Sequence, residues 1–277
     1  MTKLKKYKLF RSLILSRHPS HSILRAKNQT LPLLPFKSVI RLGSTTVSDG
    51  RLEINTAQAV KNSASKLLMK QKFTEAGVKT ANWFTATVGN FYTRDTFGGI
   101  DLNALPYPIV AKSHFGSRGI GNTKFNTKEE LEAWLPNKNL NNYIFEEFVK
   151  MTREYRLHVT KFGCFYTCRK LVKNDAPEDT WQKHDDVCNW VLEENPSFKK
   201  PKNWDAIVAD CIKAKDALGL DICAFDVGVQ GAKDGIEREN PEWIIFESCS
   251  APSFGAITGQ EYIKILPKLL IDKYNNK

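Results

Sequence analysis

The stretch Tyr107-Pro-Ile-Val-Ala-Lys-Ser-His-Phe-Gly-Ser-Arg-Gly-Ile-Gly121 contains the pattern that decides the fold. After a proline-bounded start, four residues predict an apolar strand that ends at Lys112, and a loop with three glycines follows directly. Glycines let backbone N–H groups approach phosphate oxygens because no Cβ stands in the way. A cation at a strand end beside such a loop therefore predicts a phosphate site. Its candidate members are Lys112, Gly116, Ser117 and Gly119.

A second fragment, Phe145-Glu-Glu-Phe-Val-Lys150, predicts a short strand that ends in acidic and aromatic residues. In isolation, two surface glutamates at a strand end would explain it. After a phosphate loop, the same fragment is typical of a hinge that lines a purine base. The candidate hinge residues are Glu146, Glu147, Phe148 and Val149. Glu154 would then reach ribose hydroxyls, since a carboxylate offers two acceptors to a diol, and Arg156 would share its strand face.

Two acids interrupt apolar strands later in the chain. Asp226 lies within the predicted strand 222–229, and Glu247 ends the predicted strand 243–246. A lone buried carboxylate is costly, so each acid should be paired with an interior cation or bound to a metal. Mg²⁺ prefers oxygen ligands and usually takes one or two carboxylates together with substrate phosphates. Two acids on neighbouring strands would meet that need, and pairing with an interior Arg or Lys is the alternative.

Taken in order over roughly residues 60–275, these fragments resemble the ATP-grasp family, of the carboxylate–amine ligase type. The start Ile40-Arg-Leu-Gly-Ser-Thr-Thr46, with Asn55 and Lys66, is similar to that of small viral or bacterial ligases in this family. The resemblance implies an α+β fold in which two α+β lobes clamp ATP, with a short basic N-terminal segment ahead of them. It also implies an enzyme that activates a carboxylate as an acyl phosphate, joins it to an amine and releases ADP and phosphate.

The resemblance assigns the site residues to three groups. Contacts to ATP are implied for Lys66, Lys112, Gly116, Ser117, Gly119, Glu146, Glu147, Phe148, Val149 and Glu154. Catalytic contacts to the transferring phosphoryl group are implied for Arg156, Arg169 and Lys170. Binding of Mg²⁺, with Mn²⁺ as an alternative, is implied for Asp226 and Glu247.

One position departs from the family pattern, which usually has asparagine two residues after the last metal-binding glutamate. Here the sequence is Glu247-Ser248-Cys249. A neutral thiol is a poor ligand for a hard cation. A catalytically impaired nucleotide-binding module is therefore an alternative function, and an ATP-dependent phosphotransferase acting on an alcohol is another.

The basic charge of the chain is concentrated at its N-terminus. The formal net charge is +11, and residues 1–48 contain ten Lys or Arg and no Asp or Glu. Such a segment is a solvated basic face, an arm for nucleic acid or an acidic protein, or a transit peptide. We expect no membrane span, because no apolar run approaches the roughly 18 residues required. Six cysteines without zinc-like spacing favour reduced thiols, so we expect a cytoplasmic protein, with a viral-encoded origin as an option.

These patterns predict four parts of the chain. They are a basic N-terminal segment or reduced pre-ATP-grasp region (1–55), a linker helix and strand (56–105), a small ATP-binding lobe (106–150) and a large C-terminal catalytic lobe (151–277). Helical periodicity predicts helices over 57–76, 127–135, 203–218 and 259–274. The polar stretch 173–200 predicts a loop or lid that contacts the acceptor. The candidate contacts are Trp181, His184, Asp185, Asp186 and Trp190.

Overall fold

The structure, a computed structural model, describes most of the chain after the N-terminal segment. The described residues are 12–17, 38–47, 52–87, 90–93, 102–116, 119–136, 138–178, 180–183 and 186–276. Ser117 of the predicted phosphate loop lies outside these ranges, as do His184 and Asp185 of the predicted lid and most of the basic N-terminal segment with its predicted polyanion arm. None of the described helices combines the length and apolarity that a bilayer crossing requires.

The first sheet is small and parallel. Its strands β1 (Ser12–Ser16), β2 (Ser38–Leu42) and β3 (Leu52–Ile54) lie in the order β1-β2-β3. Its apolar side chains, among them Ile40 and Ile54, pack against the last helix of the chain, α5 (Ala256–Asn275). The N-terminal sheet is therefore anchored to the C-terminal part of the chain.

The predicted helix 57–76 is divided into two helices at Ser65. Helix α1 covers Ala57–Ala64 and helix α2 covers Lys66–Glu75. Ser65 has an extended backbone, and its side-chain oxygen accepts the N–H of Leu68 at 3.4 Å as the N-cap of α2. Serine stabilises a helix start in this way, so the chain begins a new helix there.

The second sheet is antiparallel. Its strands β4 (Trp83–Thr87), β5 (Asn90–Thr93), β6 (Ile109–Ser113), β7 (Thr123–Phe125) and β8 (Tyr143–Glu147) lie in the order β5-β4-β8-β6-β7. Helix α3 (Lys128–Trp134) covers one face, where Ile109, Phe125 and Phe145 are buried with Leu131. The opposite face carries Lys112 and Glu146, since alternate residues of a strand point to opposite sides. The segment 83–93 thus extends the sheet that contains the predicted phosphate strand.

The third sheet is also antiparallel. Its strands β9 (Arg153–Thr160), β10 (Gly163–Val172), β11 (Cys188–Leu192), β12 (Ile222–Val229) and β13 (Trp243–Cys249) lie in the order β11-β10-β9-β12-β13. Helix α4 (Trp204–Leu218) packs on one face against residues such as Leu157, Phe225 and Val227. Strand β11 falls inside the stretch 173–200, for which we predicted a loop. Two sheets with helices on their outer faces confirm the expected pair of α+β lobes.

Candidate functional site

The face of the third sheet that α4 leaves uncovered collects charged residues from neighbouring strands. Arg156 lies opposite Asp226, Lys170 opposite Glu154, and Asp226 opposite Glu247 in the strand register. Directly opposed side chains in an antiparallel sheet lie on the same face. The structure therefore brings five of the predicted residues onto one surface.

Arg156 and Asp226 form a paired fork at the centre of this surface. The Arg156 Nε atom donates to Asp226 Oδ1 at 2.7 Å, and Nη2 donates to Oδ2 at 2.8 Å. Burial by itself raises the pKa of the Asp226 carboxyl, but Arg156 and then Lys170 outweigh it and hold the pKa well below its usual range. The acid is ionised, and a bidentate geometry fixes the direction of the guanidinium.

Lys170 connects this pair to the predicted ribose ligand. Its ammonium group donates to the Glu154 carboxylate, and Nζ lies 3.5 Å from Asp226 Oδ2. The indole ring of Trp190 covers both cations, with its centroid 4.9 Å from Arg156 Cζ and 5.2 Å from Lys170 Nζ. Strand β11 thus closes one side of the charged surface with an aromatic ring, which shields the cations from solvent.

The second sheet presents its own ion-pair cluster toward this surface. Lys112 Nζ lies 2.8 Å from Glu146 Oε2, and Lys70 Nζ of helix α2 lies 3.2 Å from Glu146 Oε1. Burial by itself lowers the pKa of Lys112, but Glu146 outweighs it, followed by Glu247 and Glu154, and the pKa lies above its usual range. Lys112 Nζ of β6 also lies 6.0 Å from the ring centroid of Phe246 of β13, so this face of the second sheet faces the third.

Lys66 links the two lobes. Its Nζ atom donates to the carbonyl of Gly116 in the glycine loop at 2.6 Å and lies 3.6 Å from Glu247 Oε2. The loop approaches closely at Gly116, where an added Cβ would lie 2.8 Å from the carbonyl oxygen of Ile120. Gly119 has a φ of +70°, a conformation that favours glycine. The glycine loop, Lys66 and Glu247 therefore meet at one place.

The side chains of the predicted hinge at the end of β8 have different surroundings. The Glu146 side chain lies between two lysines and does not line an open pocket, while Glu147 accepts a hydrogen bond from Asn82 Nδ2 at 2.8 Å. The N–H of Phe148 donates to the carbonyl of Pro108 at 2.8 Å. Lys124 Nζ lies 4.2 Å from the centroid of the Phe148 ring, and the Trp181 ring contacts its edge. The predicted hinge thus presents the aromatic ring of Phe148, packed between Lys124 and Trp181, directly before Val149.

Phe246 was not among the predicted site residues. Its ring lies over Gly228 of the neighbouring strand, where an added Cβ would be only 2.4 Å from Phe246 Cζ and 2.8 Å from Met151 Cγ. The ring centroid lies 6.0 Å from Lys112 Nζ, which places it between the two sheets. A glycine in a buried strand often marks a close approach. Gly228 was the signal in the sequence that could have found this aromatic surface.

Arg169 is not part of the charged surface. It lies opposite Tyr155, whose side chain is in the core beneath α4, so it points to the other face of the sheet. Its Nη1 atom donates to the carbonyl oxygens of Ser197 and Phe198 at 2.7 and 3.2 Å. The structure separates it from Arg156 and Lys170, with which we had grouped it.

The two predicted metal-binding acids partly fit a Mg²⁺ ion. Asp226 and Glu247 are cross-strand neighbours, and the Glu247 side chain is 40% exposed, whereas both oxygens of Asp226 already contact cations. Among the described residues, no group of three or more His, Cys, Asp or Glu side chains has the arrangement of a metal site. The two acids alone do not complete the coordination of a Mg²⁺ ion. They suit an ion whose remaining oxygen ligands come from the phosphates of a nucleotide.

Cys249 also lies on this side of the sheet, opposite Ala224. Burial raises the pKa of its thiol, so the group is neutral at pH 7. A neutral thiol does not replace the oxygen ligand that the family pattern has at this position.

The surface as a whole is positive. In the described part of the chain it contains four carboxylates and six cationic groups, contributed by Glu146, Glu154, Asp226 and Glu247 and by Lys66, Lys70, Lys112, Arg156, Lys170 and Lys183. Among the described residues, two positive charges of this partly buried surface are therefore unbalanced. Such an excess favours an anionic ligand over a bare metal ion.

Comparison with known proteins finds similar structures but no family model or curated protein that matches the sequence. Among solved structures, D-alanine–D-alanine ligase from Bacillus anthracis superposes with a TM-score of 0.62 at 15% identity, covering 94% of this chain and 86% of the ligase.

Two nucleotide complexes are also similar. The same Bacillus anthracis ligase complexed with ATP has a TM-score of 0.56 at 15% identity, covering 91% of this chain and 81% of the ligase. N5-carboxyaminoimidazole synthetase from Staphylococcus aureus complexed with ADP has a TM-score of 0.56 at 14% identity, covering 87% of this chain and 59% of the synthetase. With the two facing lobes described above, these similarities confirm that the chain has the ATP-grasp fold.

Proposed function

We propose that the chain binds ATP between the second and third sheets and uses it to activate a carboxylate for ligation to an amine. The observation that carries this proposal is the convergence of Lys66, Lys112, Arg156 and Lys170 on one positive surface between two lobes. An excess of cations between facing sheets suits a triphosphate, and the fold supports the same nucleotide.

The nucleotide would be held in parts by different elements. Adenine would lie against the Phe246 ring. Its backbone contacts would be at Val149, because the N–H of Phe148 already donates to the carbonyl of Pro108. Glu154 would accept ribose hydroxyls. The glycine loop and Lys112 would hold the phosphates, and Lys66 would position that loop through its bond to the carbonyl of Gly116. We leave Arg169 out of the site and assign it to the support of the segment at Ser197.

The proposed chemistry has two steps. A carboxylate oxygen of the substrate attacks the γ-phosphorus of ATP, the bond between that phosphorus and the bridging oxygen breaks, and ADP leaves. An amine nitrogen then attacks the acyl carbon, phosphate leaves with its oxygen, and the nitrogen loses a proton to give an amide. Mg²⁺, held through Glu247 and Asp226, would supply charge neutralisation at the phosphates.

The protein's own contribution is position and charge. Arg156 is fixed by its two bonds to Asp226, and Lys170 by Glu154, so neither cation needs to reorganise when charge develops on the transferring group. No side-chain nucleophile is required. Cys168 lies beside Arg156 in the register, but burial raises the pKa of its thiol to about 12, which keeps it protonated.

One observation favours a second candidate, a nucleotide-binding module without catalysis. Cys249 is a neutral thiol where the family has an oxygen ligand, and both oxygens of Asp226 contact cations. Such a module would bind Mg-ATP between the same sheets but would form no ADP with any substrate.

A hydroxylamine assay tests the ligase proposal without knowledge of the natural amine. The chain is incubated with Mg-ATP, hydroxylamine and a pool of carboxylic acids, and both ADP and hydroxamate are quantified. We expect ADP in proportion to hydroxamate, because hydroxylamine captures an acyl phosphate. AMP and pyrophosphate as products would reject the acyl-phosphate route, and binding of ATP without any ADP would favour the module.

Two variants link the assay to the site. Lys170→Met removes a proposed phosphoryl contact and should lower kcat about 100-fold or more, the scale for loss of one charged contact to a transition state. Lys268→Met, an exposed lysine on α5 outside the proposed ATP site, is the matched control and should retain the rate. Equal rates in the two variants would remove Lys170 from the site.

A further inference from the structure

A second cavity lies next to the proposed ATP site, at the edge of the N-terminal sheet. It has a volume of about 630 Å³ and is formed by the chain just after β1, just after β2 and at the junction of α1 and α2. Its polar lining includes Arg17, Lys61, Ser44, Thr45 and Thr46. The strands are parallel, so their carboxyl ends meet at this edge, which is where ligands bind in open sheets of this kind.

The cavity shares its walls with the charged surface. Phe115, the residue before Gly116 of the glycine loop, lines it, and so does Ser65, the residue before Lys66. On the other side, an added Cβ at Gly43 would lie 2.4 Å from Cβ of Ala251, four residues after Glu247. The cavity is therefore lined by the residues that directly precede Lys66 and Gly116.

The charged residues in the described lining of the cavity are both positive. Arg17 and Lys61 are its two charged lining residues, and neither forms an ion pair with any described residue. Elsewhere on the molecule, the larger groove near α5 has lysines and acids that pair with one another, as Lys161 does with Asp272 and Lys273 with Asp221. Two cations that have no ion-pair partner in the described part of the chain, beside three hydroxyl-bearing residues, favour an anionic ligand with polar groups.

The loop 44–46, which carries the three hydroxyl groups, is held in place by a buried arginine on the side away from the cavity. Arg41 is fully buried, and its Nε atom donates to the carbonyl of Thr46 at 2.8 Å while Nη2 donates to Glu53 Oε1 at 3.0 Å. Ser44 Oγ also bonds Thr46 Oγ1 at 3.1 Å. A buried guanidinium is costly unless it is fully paired, so this arrangement gives the loop a defined shape. A preformed loop is what a binding pocket needs.

We propose that this cavity binds a non-reacting acidic group of the substrate, so that the acid activated by the enzyme carries at least two carboxylates. One carboxylate reacts at the γ-phosphate near Lys170, and the other is held by Arg17 and Lys61. The volume suits a small molecule. The inference rests on the proposed function for the identity of the reacting group, and on the cavity alone for the anion site.

Matched pairs of acids test the proposal. Succinate and butyrate have the same carbon chain, as do glutarate and pentanoate, and differ in the second carboxylate. With Mg-ATP and hydroxylamine, we expect kcat/KM for ADP release to be about tenfold or more higher for the diacid of each pair, the scale of a charged hydrogen bond. The preference should fall as salt rises, because the two cations are exposed.

The variant Arg17→Gln together with Lys61→Gln should remove the preference through KM, with kcat nearly unchanged. Lys268→Gln, an exposed lysine on α5 outside both sites, is the control and should keep the preference. Equal use of both acids by the wild-type chain, or an unchanged preference in the double variant, overturns the cavity assignment.

A binding measurement separates this inference from the ligase proposal. In thermal unfolding with Mg-ATP present, the diacids should raise Tm of the wild-type chain more than the monoacids and should lose this effect in the double variant. Mg-ATP alone should raise Tm equally in both. If the diacids raise Tm in this way but no ADP forms, the anion site is supported and the ligase proposal fails. If ADP forms but the diacids have no such effect on Tm, the ligase proposal is supported and the anion site fails.

Discussion

Binding of Mg-ATP at pH 8 should be accompanied by uptake of about half a proton per site, and Lys70 should be the group that takes it. Lys70 is fully buried beside Glu146, which it shares with Lys112. Burial lowers the pKa of its ammonium group to about 8, against the attraction of Glu146. Because Lys112 has a raised pKa, it stays protonated and contributes no uptake.

The size of the effect follows from that pKa. With a pKa of about 8, about half of the Lys70 side chains are neutral at pH 8 and about one tenth at pH 7. A triphosphate at Lys112 favours the charged form of the neighbouring lysine and raises its pKa. The bound state therefore holds more protons than the free state, and the uptake should shrink from about half a proton at pH 8 to about one tenth at pH 7.

Calorimetry measures this number directly. Titrations of Mg-ATP at one pH in two buffers of different ionisation enthalpy give the protons exchanged from the slope of observed enthalpy against buffer enthalpy. Lys70→Met should remove most of the slope, and Lys183, whose pKa burial also lowers, would account for any remainder. Lys72→Met, an exposed position on the same helix, should preserve it. Proton release, or the same uptake in Lys70→Met, would refute the assignment of Lys70.

Three further predictions concern the third sheet. Asp226→Asn removes the buried acid shared by the partly buried cations Arg156 and Lys170, so urea denaturation should show a loss of about 1.5–3 kcal/mol in the free energy of unfolding. Exposed Asp175→Asn should cost less than about 0.5 kcal/mol, and a small loss at both positions would contradict the pairing. Gly228→Ala should push the Phe246 ring aside, at a cost of about 1–3 kcal/mol of stability, and should raise the Kd for Mg-ATP. Gly255→Ala meets no neighbouring atom and should leave the Kd unchanged, although alanine is less favourable than glycine at this N-cap of α5; an unchanged Kd in Gly228→Ala would remove Phe246 from the adenine site. Cys249→Asn should supply the missing oxygen ligand and so lower the Mg²⁺ concentration needed for half-maximal ADP formation. Cys164→Asn, away from Asp226, is the control, and an unchanged Mg²⁺ requirement in Cys249→Asn would mean that position 249 holds no metal.

The lobes were predictable because their signals are local. The apolar strand before the glycine loop, the helix ended by Gly219 and the buried strand around Asp226 depend on periodicity and turn residues that the sequence states directly. The division of the first helix at Ser65 was missed, because a serine within a helical pattern does not reveal whether it caps a second helix.

The position of Arg169 depended on the register, which the sequence does not state. Near the hairpin turn, Cys164 lies opposite Val159, a register that would place Arg169 opposite Glu154 on the charged face. A bulge between Cys164 and Tyr166 shifts the pairing by one residue, so Lys170 takes that place instead. A one-residue shift moves every later side chain to the other face of a strand. Lys70 and Phe246 were missed for a related reason, since their contacts join elements that are far apart in the chain.

The central claim is that one triphosphate lies between Lys112 of the second sheet and the acids of the third. A crystal structure of the chain with Mg²⁺ and a non-hydrolysable ATP analogue measures this most directly. We predict phosphate oxygens within hydrogen-bond distance of Lys112, with Asp226 and Glu247 facing the same phosphates through the ion. A nucleotide bound elsewhere, or a space between the sheets that stays free of nucleotide at saturating concentration, would contradict the account.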